Sequence, residues 1–245
     1  MADSPKASGD AKGRGVRVAV IDSGVALRHP HLGPVSEGVS IEENGTFSEG
    51  LDHAIDRIGH GTAVMAAIQE KAPLAHFIAV KIFHDRLRTS AGMLLRAIGW
   101  CIDHEVTVAN LSLGTVNAVH RSAFEELAAR AEAAGCLLVS AREANGQACY
   151  PGTLSTVFGV DVDWDCPREV YGCTTAAGHM TFRASGYPRP VPGVPPARNL
   201  HGISFAVANM SGFVTRACEL AGTLDDPSAR QHRVREILRA HCSLR

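Results

Sequence analysis

Short apolar runs alternate with helical stretches over almost the whole chain, and that alternation narrows the folds open to it. Val16–Ile21 is an apolar run closed by Asp22-Ser23-Gly24, the pattern of a buried strand ending in a turn. His60–Gln69 is apolar and alanine-rich behind a Gly-His-Gly start, which predicts a helix opening near the histidine. His76–Phe83, Thr107–Leu113, Leu137–Ala141 and Thr156–Val162 read as further strands. Ser90–Glu105 carries leucine, isoleucine and tryptophan at helical spacing behind Ser90 as N-cap. Ser122–Ala134 is an amphipathic helix closed by Gly135. Gly186–Pro196 holds five of the twelve prolines and reads as an extended loop. Ile203–Ala221 is a long apolar helix stopped by Gly222, and Pro227–Leu244 a basic helix with Val234, Ile237, Leu238 and His241 on one face. No internal repeat or linker interrupts the pattern. It predicts an α/β fold: one domain, a doubly wound, mostly parallel sheet with helices on both faces. Residues 16–245 form that domain, and residues 1–15 a polar, flexible N-terminal segment.

At 245 residues such a domain buries a sizeable core without metals or staples. The net charge of −1, with no long basic run, sets nucleic acid and anionic membranes aside as partners. The apolar runs fall short of a membrane span. Seven cysteines at scattered spacings with no CxxC argue against a disulfide framework or a zinc site. Cys101, Cys136 and Cys218 read as small core residues, whereas Cys149, Cys166 and Cys173 are close enough in sequence to leave one bridge open. Met1–Gly15 lacks the apolar core of a secretory signal. Together these features give the expectation of a reducing, cytoplasmic setting.

The chemistry gathers in three segments, in the order aspartate, histidine, serine: Asp22-Ser23-Gly24, His60-Gly61-Thr62-Ala63-Val64, and Gly202-Ile203-Ser204-Phe205-Ala206. Alone, each has an ordinary reading as a turn or a helix cap. Together, each sits where a buried element meets a glycine-containing turn, and a parallel sheet collects its sites at such strand ends. An activated serine needs a base to take its proton and a carboxylate to orient that base. Ser204, His60 and Asp22 supply the three. A serine in a first helical turn also has backbone N–H groups beside it that stabilise an oxyanion. The order differs from the serine–acid–histidine order of α/β-hydrolases, which weakens an esterase reading. The remaining histidines lack metal-ligand spacing.

On these motifs the chain resembles the subtilisin-like serine peptidases, the subtilases. Asn110-Leu111-Ser112-Leu113-Gly114 is similar to the family segment that pairs with the substrate backbone and walls the S1 pocket. Cys149-Tyr150-Pro151-Gly152 is similar to the segment beside that pocket. The resemblance runs from about Val16 to Gly222. It implies a peptide or protein substrate, with Ser204 as nucleophile, His60 as general base and Asp22 orienting it. It further implies that substrate lies along Ser112, Leu113 and Gly114, with Cys149 narrowing S1. The family's oxyanion segment reads Ser140-Ala141-Arg142-Glu143-Ala144-Asn145-Gly146 here, displaced by about one residue, and Asn145 is the expected donor. Ile203 stands where the family has threonine, and Ala208 where it has proline. No cofactor is called for, and no acidic loop has convincing calcium spacing. The implied function is processing of a dedicated peptide, such as leader removal from a ribosomally made natural product. The altered oxyanion segment keeps a non-cleaving, peptide-binding descendant as the alternative.

Overall fold

The computed structural model describes residues 10–144, 146–176 and 178–243. A nine-stranded sheet runs in the order β10-β11-β9-β6-β5-β1-β4-β2-β3. Its strands are β1 (Arg17–Asp22), β2 (Glu37–Ile41), β3 (Phe47–Glu49), β4 (His76–Lys81), β5 (Val108–Leu111), β6 (Leu137–Ala141), β9 (Phe158–Asp163), β10 (Gly172–Ala176) and β11 (His179–Ser185). A separate hairpin pairs β7 (Glu143–Ala144) with β8 (Gln147–Ala148). From β11 across to β2 every neighbouring pair is parallel, and antiparallel pairing is confined to the edges, β10 with β11 and β2 with β3.

Period-two alternation divides the core between the faces. Val18, Val20, Phe77, Ala79, Val108, Val139, Phe158 and Val160 point to one side, where α1 (His60–Lys71), α4 (Ile203–Ala221) and α5 (Arg230–Ala240) cover them. Ala19, Ile21, Ile78, Val80, Ala109, Leu111 and Leu138 point to the other, under α2 (Ala91–Asp103) and α3 (Arg121–Ala133). The central strands are therefore continuous apolar runs. Among the described residues no helix is long and apolar enough to cross a membrane.

The sequence reading holds for the long elements and slips at their ends. Ser90 caps α2, its hydroxyl accepting from the Met93 N–H at 3.2 Å. The basic C-terminal stretch is a 3-10 turn at Pro227–Ala229 followed by α5, which ends at Ala240. Val234 and Leu238 are buried, but His241 lies past the helix end and is exposed, so it does not extend the apolar face. Residues 12–14 lie against α4, their three backbone N–H groups donating to Glu219 Oε2 at 2.6–2.9 Å. Among the described residues no disulfide forms, which closes the bridge left open for Cys149, Cys166 and Cys173.

Candidate active site

The chain leaves β1 toward β2 and β4 on one side and reaches β5 on the other, so the crevice beyond β1 and β5 is a switch point where α/β sheets hold their sites. Asp22 ends β1 there, fully buried. Its Oδ1 accepts from the Ser23 N–H at 2.8 Å and lies 2.8 Å from His60 Nδ1, with Oδ2 at 3.0 Å from the same nitrogen. A buried carboxylate on Nδ1 fixes a proton there and leaves Nε2 as the basic nitrogen. Burial disfavours the imidazolium of His60, but the hydrogen bond and charge of Asp22 outweigh it, helped by the charge of Asp56, and raise its pKa above the ordinary value.

His60 opens α1, and its first turn packs on the Asp22 turn so closely that only glycine fits next. A Cβ on Gly61 would lie 2.5 Å from the Gly24 carbonyl oxygen. The other flank belongs to α4, whose second residue is Ser204. The His60 ring lies 5.5 Å, centroid to centroid, from Phe205, the next residue along α4. The Ser204 hydroxyl donates to the Ser112 carbonyl at 3.1 Å. Among the described residues no hydrogen bond joins it to His60. The structure thus brings Asp22 and His60 into direct contact and sets Ser204 at the neighbouring helix start with its hydroxyl turned to Ser112. In that first turn the Phe205 N–H donates to the Gly202 carbonyl at 3.1 Å, and a helix start leaves initial N–H groups to spare.

Ser112, Leu113 and Gly114 continue β5 beyond its last ladder residue and are partly exposed. A buried relay holds them: Asn110 Nδ2 donates to Ser112 Oγ at 2.9 Å, and Ser211 Oγ on α4 donates to Asn110 Oδ1 at 3.0 Å. Thr115 and Tyr150 exchange two backbone hydrogen bonds of 2.8 Å, which brings Cys149 against Gly114. A Cβ on Gly114 would meet Cys149 Sγ at 2.5 Å. Cys149 is 1% exposed, and burial pushes its thiol up to about 11, which keeps it protonated and poorly nucleophilic at neutral pH. Asn145 lies outside the described residues, between β7 and β8. Arg142, in the same segment, pairs with Asp161 at 2.6 Å.

The sequence reading missed Asp56 and Ser23. An aspartate four residues before a helix start is the available signal, since such carboxylates cap first turns. Among the described residues no three histidine, cysteine, aspartate or glutamate side chains gather as a metal site requires.

The Subtilase family profile matches residues 13–160, which include Asp22, His60 and the Ser112–Gly114 segment. This chain belongs to the subtilase family. A thermostable alkaline protease of Halalkalibacterium halodurans is 35% identical over 159 residues, 60% of this chain and 41% of that one. A subtilisin of Bacillus pumilus is 26% identical over 213 residues, 83% of this chain and 74% of its own. The match to the alkaline protease therefore spans less than half of that relative's length. Among solved structures, the prenylagaramide maturation protease PagA superposes with a TM-score of 0.65 at 22% identity, covering 92% of this subtilase and 82% of PagA. A lanthipeptide protease gives 0.63 at 17% identity, covering 89% and 78%. At those identities the likeness is one of fold. Ser204 lies beyond the profile match, so its place in the site rests on its motif and on its position at the start of α4.

Proposed function

We propose that this subtilase is a serine endopeptidase that processes a dedicated peptide or protein, with residues 16–245 as its catalytic domain. The observation that carries the reading is the Asp22–His60 pair beside the first turn of α4. Substrate adds as a strand along Ser112–Gly114 with its P1 side chain toward Cys149. Rotation about the Ser204 Cα–Cβ bond turns the hydroxyl from the Ser112 carbonyl to His60 Nε2. His60 takes the proton as Ser204 Oγ bonds to the scissile carbonyl carbon, and the oxyanion accepts from the Ser204 N–H, with Asn145 as the second donor. The imidazolium, held by Asp22, then gives its proton to the leaving amine. Water repeats the sequence on the acyl-enzyme. Seven cysteines with no disulfide among the described residues suit a reducing, cytoplasmic compartment. Maturation of a ribosomally made peptide is the biological role we favour, and the names of the two structural neighbours carry the same idea.

A fluorophosphonate probe tests the chemistry. Labelling of the wild type that vanishes in Ser204→Ala supports it, and a folded wild type that takes no label overturns it. That second outcome selects a peptide-binding protein that does not cleave, a reading favoured by the Ser204 hydroxyl resting on Ser112. A peptide-library digest read by mass spectrometry then separates confined from broad cleavage.

A further inference from the structure

One carboxylate outside the proposed triad is tied into it from three directions. Asp56 Oδ1 accepts from Ser23 Oγ at 2.9 Å, from the Ile58 N–H at 2.9 Å and from the Gly59 N–H at 2.8 Å. Its Oδ2 accepts from the Thr62 N–H at 2.9 Å and from Thr62 Oγ1 at 2.6 Å. Ser23 Oγ in turn accepts from the Gly61 N–H at 2.9 Å. The bonds close a ring. From Asp22 it passes through the backbone to Ser23, through the two hydroxyl bonds to Asp56 and Gly61, and through His60 back to Asp22.

An isolated helix start leaves its first N–H groups without acceptors and free to fray. Here the carboxylate takes donors on both sides of His60, and an ionised carboxyl is an acceptor-only group that suits a crowd of donors. Burial works to raise the pKa of Asp56, but the donors from Thr62, Gly59 and Ile58 outweigh it and hold the group below the ordinary carboxylate value. It is therefore charged wherever His60 titrates. The charged groups around His60 are Asp22 from β1 and Asp56 from the loop before α1. Lys81 at the end of β4 donates to the Ile55 carbonyl at 2.6 Å, and Arg57 is the adjacent cation.

We propose that Asp56 is a positioning residue for His60: its carboxylate ties the first turn of α1 to Ser23 and so presents the imidazole to Asp22. The proposal rests on the reading of His60 as general base. An asparagine at this position would turn an N–H₂ toward existing donors and lose the charge.

The test compares Asp56→Asn, Asp56→Glu and Ser23→Ala in the full chain. The His60 ring protons are followed through a pH titration by NMR, with His60→Ala identifying the signal. In Asp56→Asn the His60 midpoint moves down. Its kcat falls about ten- to a hundredfold, the scale of a small misplacement of a reacting group, with KM little changed. Asp56→Glu restores the midpoint more fully than the rate. An unmoved midpoint in folded Asp56→Asn, or a rate loss that only tracks the folded fraction seen by circular dichroism, overturns the proposal. If Asp56→Asn does not fold, Ser23→Ala decides: wild-type kcat in that variant is likewise fatal to it. A wild type that takes no fluorophosphonate removes the peptidase reading instead, and the NMR titration still judges Asp56.

Discussion

His60 carries the clearest consequence at the scale of single residues. A general base works as neutral imidazole, so activity rises as pH climbs through the His60 pKa and fails below it. Because Asp22 raises that pKa, the acid limb lies higher than an isolated histidine would put it. In Asp22→Asn the limb moves to lower pH and the plateau falls by about 10⁴, as expected when a triad base loses its orienting carboxylate. A kcat/KM profile across neutral pH reads both, and an unmoved limb contradicts the assignment. Cys149 gives a second prediction. Its buried, high-pKa thiol resists iodoacetamide at neutral pH in the folded protein. Cys149→Gly removes the wall beside Gly114, and larger P1 side chains are then accepted in a peptide-library digest. An unaltered P1 profile would show that Cys149 does not shape the pocket.

Between elements, the decisive contact is the start of α1 against the end of β1. Gly61→Ala places a methyl 2.5 Å from the Gly24 carbonyl oxygen. Overpacking of this kind costs about 1–3 kcal/mol, read as a lowered denaturant midpoint. The same shift moves His60 away from Asp22, so kcat falls more than the stability loss explains. The elements that build this corner were legible because each is a continuous apolar run with a polar stop: β1, α1, β5 and α4. Asp22, His60 and Ser204 were legible because each sits beside a glycine at such a stop. Among the missed strands, β3 has three residues, and Thr174, Thr175 and Ala176 of β10 are exposed at the sheet edge, so neither shows buried alternation. β2 and β11 were missed as well, although β2 is largely buried and Met180, Phe182 and Ala184 alternate along β11. Asp56 escaped because its role depends on five donors that only the folded loop assembles, and Cys149 meets Gly114 only through the Thr115–Tyr150 pairing.

At the scale of the whole molecule, a buried amine at the far end of the His60 helix joins it to the helix bearing Ser204, two turns from its start. Lys71 closes α1, and its Nζ donates to Asn209 Oδ1 on α4 at 2.7 Å. Asn209 Nδ2 donates to the Ser185 and Tyr187 carbonyls at 2.9 and 3.0 Å, and the intervening Gly186 carbonyl accepts from the Gly202 N–H at 2.9 Å. The bend before Ser204 is thus moored to the end of the His60 helix. Burial, with the nearby Arg168 adding to it and Glu70 opposing, lowers the Lys71 pKa from 10.5 to about 8. The unfolded chain keeps that proton to higher pH, so between about 8 and 10.5 it binds more protons than the folded one. The contribution of Lys71 to stability therefore rises with pH across that window, by an amount on the order of 3 kcal/mol, while the buried thiols of Cys136, Cys149 and Cys218, whose pKa values are raised, contribute with the opposite sign. Urea melts of wild type and Lys71→Met at pH values through the window isolate it. The wild type gains stability relative to the variant as the pH climbs, and equal pH slopes would show that Lys71 carries no such strain. Neutralising this amine thus relaxes the contact that sets one helix start against the other, so the end of α1 and the Asn209 turn of α4 belong to the architecture of the site as much as the residues in the crevice do.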